Sequence, residues 1–163
     1  MKAVVRTLQI VTVLACAGWI APALADVKLN TTVQKMERVA APDGSVGSRL
    51  VPAEKVIPGD DVHYTISFVN DGKSAADAGS VVITNPVPEN TQYIADSAFG
   101  SGTTVQFSVD GGKTFHPANE LSVVRDGVKM PATSADYTTI RWIFGPALAP
   151  AAQSYVSFNA RLQ

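Results

Sequence analysis

Val56-Ile57-Pro58-Gly59-Asp60-Asp61-Val62-His63-Tyr64-Thr65-Ile66-Ser67-Phe68-Val69-Asn70-Asp71-Gly72 is a turn, a strictly alternating run and a second turn. A side-chain period of two belongs to a strand with one buried face, and no helix accommodates it. Val62, Tyr64, Ile66 and Phe68 are therefore expected to point into a core, with His63, Thr65, Ser67 and Val69 on the other face. Pro58 pre-sets φ and Gly59 tolerates positive φ, so the pair is expected to deliver the strand from a tight turn. Asn70-Asp71-Gly72 is expected to supply left-handed conformers at its exit.

The same signal recurs along the chain, with turn residues between, as in an all-β sandwich. Val27, Leu29, Thr31 and Val33 share one face of a first strand running toward Arg38, and Ala41-Pro42-Asp43-Gly44-Ser45 is a turn. Arg49 to Pro52 has the character of an edge, since proline cannot donate to a central ladder. Val81 to Thr84 forms the next strand, stopped by Asn85-Pro86-Val87-Pro88. Further strands are expected at 91–95, 105–109, 121–124, 138–144 and 155–162. In the last two, Ile140, Trp142 and Phe144 and then Val156, Phe158, Ala160 and Leu162 form inward faces.

Residues 1–25 are expected to be a cleaved signal peptide: Lys2 and Arg6, an apolar run from Leu8 to Ile20, and Ala23-Leu24-Ala25 before the cut. A membrane anchor needs about 20 predominantly apolar residues, and Thr12, Gly18 and Pro22 interrupt this run. Val13-Leu14-Ala15-Cys16 faintly resembles a lipobox, but Leu14 stands where that motif takes a small residue. Cys16 is the only cysteine and leaves with the leader, so the mature chain is expected to hold no disulfide, thiolate nucleophile or thiolate metal site. The formal charge of −1 becomes more negative once Lys2 and Arg6 are removed. That balance argues against nucleic acid or anionic lipid as the main partner.

Val56 to Ile66, continuing through Val69-Asn70-Asp71-Gly72 and Ala75-Ala76 to Val82-Ile83-Thr84-Asn85-Pro86-Val87-Pro88-Glu89-Asn90-Thr91-Gln92-Tyr93, resembles the conserved repeat known as domain of unknown function eleven. That family is immunoglobulin-like and occurs, often in tandem, in large bacterial and archaeal surface proteins. The resemblance runs from Val56 to about Ser97 and covers one copy. It implies an immunoglobulin-like antiparallel β-sandwich over 56–163. Residues 26–55, in which the chain departs from the family, are expected to be an N-terminal strand and extension packed on that domain. The expected architectural positions are Pro58, Gly59, Tyr64, Asn70, Gly72, Pro86, Asp110, Trp142 and Phe158.

Ser108-Val109-Asp110-Gly111-Gly112-Lys113-Thr114-Phe115 resembles the Asp box of sialidases, a hairpin whose Asp and Ser side chains bond turn backbone groups. Such a box is architectural, and local motifs do not transfer function. The two histidines are His63 and His116, and there is no nucleophile elbow, zinc-protease helix or phosphate-cradling loop. No enzyme activity, catalytic residue or cofactor is expected. Asp61 and His63 share a strand face, where a metal or proton-sensing role competes with an ordinary solvated face. Asp60, Asp61, Asp71 and Asp77 lie near turns and are the calcium candidates, since that ion takes six to eight oxygens.

The leading expectation is an exported, non-catalytic module with a structural, adhesion or protein-interaction role at the cell envelope. Its partner would be another envelope or extracellular protein, met through exposed strand edges. The alternatives are a pilus or fibre subunit, in which the extension from Asp26 pairs with a neighbour, and a sugar- or calcium-binding accessory domain.

Overall fold

The computed structural model describes residues 25–40 and 44–163; the expected signal peptide, Cys16 and the turn at Ala41-Pro42-Asp43 lie outside them. The described chain is all-β and antiparallel. Its strands are β1 (Val27–Ala40), β2 (Val46–Pro52), β3 (Asp61–Asn70), β4 (Val81–Pro86), β5 (Thr91–Tyr93) and β6 (Phe99–Gly100). They continue with β7 (Thr103–Ser108), β8 (Ser122–Arg125), β9 (Val128–Pro131), β10 (Thr139–Phe144) and β11 (Gln153–Leu162). The larger sheet has the order β2-β1-β3-β11-β5, with β6 also on β11. The smaller is β4-β10-β7, and β8-β9 is a separate hairpin.

Alternation places the core between the two sheets. Ile66 and Phe68 of β3 and Val156, Phe158 and Ala160 of β11 meet Val81 and Ile83 of β4, Phe107 of β7 and Ile140, Trp142 and Phe144 of β10. The layers touch through rings: Trp142 lies 6.0 Å from Phe158, Phe68 packs edge-on to Phe144 at 5.3 Å, and Tyr93 lies 5.3 Å from Phe107. Tyr64 stacks on its registered partner Phe158 at 4.8 Å. Trp142 and Phe158 are wholly buried, which makes them the large anchors of the sandwich.

The turn before β3 forms where Pro58 and Gly59 stand. The Asp60 amide donates to the Ile57 carbonyl at 3.0 Å, and Gly59 takes φ +95°, the sign required at the third position of a type II turn. The exit works differently from expectation. Asn70, Asp71 and Gly72 are absent from the positive-φ positions. Asn70 acts instead through its side chain, which is fully buried. Its Nδ2 donates to the carbonyls of Ser74 at 2.7 Å and Leu148 at 2.8 Å, while its Oδ1 accepts from the Gly72 amide at 3.0 Å. An asparagine that bonds backbone two residues on makes the turn itself, without left-handed φ.

Two smaller differences concern strand limits. β4 continues through Asn85 and Pro86 before it ends; it is an edge strand, where a missing N–H costs no ladder bond. The Arg125-Asp126-Gly127-Val128 hairpin joins β8 to β9, and both central residues have positive φ, 52° and 79°, as a two-residue type I′ turn requires.

Candidate interaction surface

The two sheets are unequal. β1, β3, β11 and β5 lie side by side, whereas among the described residues the opposing sheet has only β4, β10 and β7. The register pairs Leu29 with Phe68, Thr31 with Ile66 and Val33 with Tyr64, so the expected apolar face of β1 does turn inward. Yet Phe68 is 1 % exposed and Leu29 is 58 % exposed. The inner face of β1 has run past the edge of the smaller sheet. Between that face and β4 is an open groove of about 360 Å³, lined by Val27, Leu29, Ala76, Ser80, Val82 and Ile83 among others.

β4 presents a free edge to this groove. The Val87 amide donates to the Thr138 carbonyl at 2.9 Å, which fixes the phase of the β4–β10 ladder. In an antiparallel pair such bonds engage alternate residues. The N–H groups of Val82 and Thr84 therefore point away from β10, while Pro86, in the same phase, has none.

A second unpaired edge lies on β2. β1 pairs with β3 only over Val27–Lys35, whereas its pairing with β2 runs over Gln34–Ala40. Past Lys35 the two strands form a ribbon, or arm, attached at one end. The Ala53 amide donates to the Val33 carbonyl; by the same alternation, Val46, Ser48 and Leu50 direct their N–H groups to the open side. One face of the arm carries Met36 opposite Leu50 and Ala40 opposite Val46, and all four are exposed. The opposite face holds the Arg49–Glu37 ion pair at 3.1 Å.

The four calcium candidates are not brought together. Asp61 opens β3 and Asp71 follows its last residue, so a strand of about 3.3 Å per residue separates them. The Asp61 carboxylate takes two bonds from the Arg161 guanidinium, at 2.7 and 3.0 Å. Asp60 accepts from the Ile57 amide at 3.1 Å and stands 3.9 Å from Lys35. Asp71 pairs with Lys28, whose pKa is raised mainly by that hydrogen bond. Asp77 stays exposed beside the groove, its carbonyl taken by Ser80. Among the described residues no three acidic, histidine or cysteine side chains gather as metal ligands.

His63 is engaged across the sheet, its Nδ1 2.6 Å from Asn159 Oδ1, and it is not near His116, which bridges to Phe107. A concavity of about 520 Å³ sits at the base of the arm between Lys35, Arg38, Asp60 and Asp61. It is an open, charged hollow, and much of its charge is already paired.

The segment from Ser108 to Thr114 is a turn built on Asp110 and tied to Thr138, whose Oγ1 accepts from the Gly111 amide at 3.0 Å and donates to the Ser108 carbonyl at 3.1 Å. Asp110 accepts from Ser108 Oγ at 2.6 Å, from the amides of Lys113 and Thr114 at 3.0 Å each, and from Thr114 Oγ1 at 2.7 Å. The Ser108 hydroxyl, the Thr114 amide and the Thr114 hydroxyl, in that order, hold the carboxyl far below the usual range. The following Phe115 lies over the Arg141 guanidinium, 3.5 Å from ring centroid to carbon, and fastens the turn to the outer face of the smaller sheet. Every strong acceptor here is used internally.

Sequence reasoning located the residues of β1, β2 and β4 but missed the groove. Alternation says which side chains share a face; it does not count the strands opposite. No protein-family model matches the chain, and neither a curated protein nor a solved structure is detectably similar to it.

Proposed function

We propose that this protein is an exported, non-catalytic β-sandwich that makes protein contacts at the cell envelope through its unpaired strand edges. The observation that carries this reading is the uneven sandwich: an apolar inner face on β1, with Leu29 and Val33 exposed, lies beside a strand edge with free donors at Val82 and Thr84. Such an edge is a template for another strand, with backbone bonds giving affinity and side-chain pockets giving selectivity. Natural edges are commonly guarded by charge or brevity, and β4 carries no charged residue. The export part of the reading rests on the residues from Lys2 to Ala25, and kinship with the surface-repeat family rests on Val56 to Ser97.

Cell fractionation followed by copurification tests this. The chain is expected outside the cytoplasm with a protein partner whose recovery falls when Thr84→Pro removes a free edge donor. A cytoplasmic chain, or turnover of a substrate by the purified protein, would overturn it.

A further inference from the structure

We infer that the occupant of the groove is the β1–β2 arm of a second copy of this chain, so that copies join arm to groove. The inference rests on the reading of the strand edges as contact surface and names the partner.

Three observations meet in it. Among the described residues the larger sheet sets β1, β3, β11 and β5 against three strands, so their sandwich is one strand short beside β4. The arm ends in a strand of suitable kind: β2 is Val46–Pro52 against Val81–Pro86 for β4, and it directs the amides of Val46, Ser48 and Leu50 outward. Within one molecule the two edges lie on separate sheets that share no ladder among the described residues, so each is open to a second copy.

The faces also match. The side of β2 carrying Val46 and Leu50 is the apolar side of the arm, next to Met36, and a docked β2 turns it onto Leu29 and Val33. A two-stranded ribbon alone is at best marginally stable in water, and this one exposes its apolar pairs; docking removes both from solvent. Charge agrees as well. Arg38 stands exposed on that apolar side, and Asp77 stands exposed beside the groove; neither has an ion-pair partner among the described residues. Because the two surfaces of the contact differ, the interface is heterologous: contacts made one way repeat head to tail into chains or rings, and contacts made reciprocally close a pair by arm exchange.

Sedimentation and native mass spectrometry over a concentration series test the inference. The unaltered protein is expected to associate with rising concentration, one-way contacts giving a ladder of oligomers and reciprocal contacts a pair. Ser48→Pro blocks the arm and Thr84→Pro the groove; each alone weakens association about tenfold or more. An equimolar mixture of the two restores association, but only as far as pairs, since one chain keeps an arm and the other a groove.

If circular dichroism shows either proline variant unfolded, the exposed charges decide. Arg38→Glu and Asp77→Lys each weaken association, and the double variant recovers it. A chain that stays monomeric throughout, folded proline variants that assemble like the parent, or charge reversals without reciprocal rescue would each overturn the proposal. A monomeric chain that still captures another envelope protein in a manner sensitive to Thr84→Pro would reject the second copy as occupant and leave the broader function standing.

Discussion

Leu29 and Phe68 sit opposite each other on paired strands and face the same way, yet one is in water and the other in the core. Around Phe68 the smaller sheet supplies a lid, with Phe144 edge-on at 5.3 Å. Around Leu29 that sheet has ended. The same alternating pattern therefore produces a packed wall in β3, β10 and β11 and an open one in β1. Burial is a property of what stands across the gap, and the two regions should respond differently to the same kind of substitution.

The largest contrast is at the centre of the packed wall. Trp142→Ala removes a wholly buried indole and is expected to cost about 3–5 kcal/mol, read as a fall in the denaturation midpoint at unchanged m-value. Asn70→Ala comes next, at about 1–3 kcal/mol. It strands the buried partners of its amide at Ser74 and Leu148, and chemical denaturation with hydrogen exchange of the Gly72 amide measures it.

A smaller effect appears only in acid. Asp110 has a depressed folded-state pKa, so its contribution is present above the ordinary carboxylate range near 3.8 and is lost as pH falls below that range toward the folded value. Thermal melts should therefore fall between about pH 5 and pH 2, and Asp110→Asn should flatten that part of the curve while lowering the melt at neutral pH. Smallest of all is Leu29→Thr in dilute solution. With more than half its surface in water, it is expected within about 0.5 kcal/mol of the parent. A loss comparable to that of Trp142→Ala would mean that the groove is already filled within the chain, and the contrast would collapse.

Much of the fold was legible because β3, β10 and β11 are buried on one face and carry the period openly, from Val62 to Phe68, Ile140 to Phe144 and Val156 to Ala160. β6 was not, since the two residues Phe99 and Gly100 contain no period. β9 is Val-Lys-Met-Pro, all exposed; its signal lay instead in Asp126-Gly127, a turn dipeptide that sequence reading passed over. Asn70 was recognised as a turn residue and misassigned in mechanism, because composition does not distinguish a left-handed backbone from a side chain reaching back to it. The groove was least legible, since it exists only in the relation between strands distant in sequence.

The order β1-β3-β11 also sets a timetable. β3 finds β1 soon after synthesis, but Tyr64 must wait for Phe158. Pairings of such long sequence separation form slowly. Until the residues of β11 emerge, a nascent β2-β1-β3 layer holds Val62, Ile66 and Phe68 with no neighbour on one flank. Transiently exposed apolar surface of this kind is where incompletely folded chains stick to one another, so the last strand to arrive is also the one that seals the sheet.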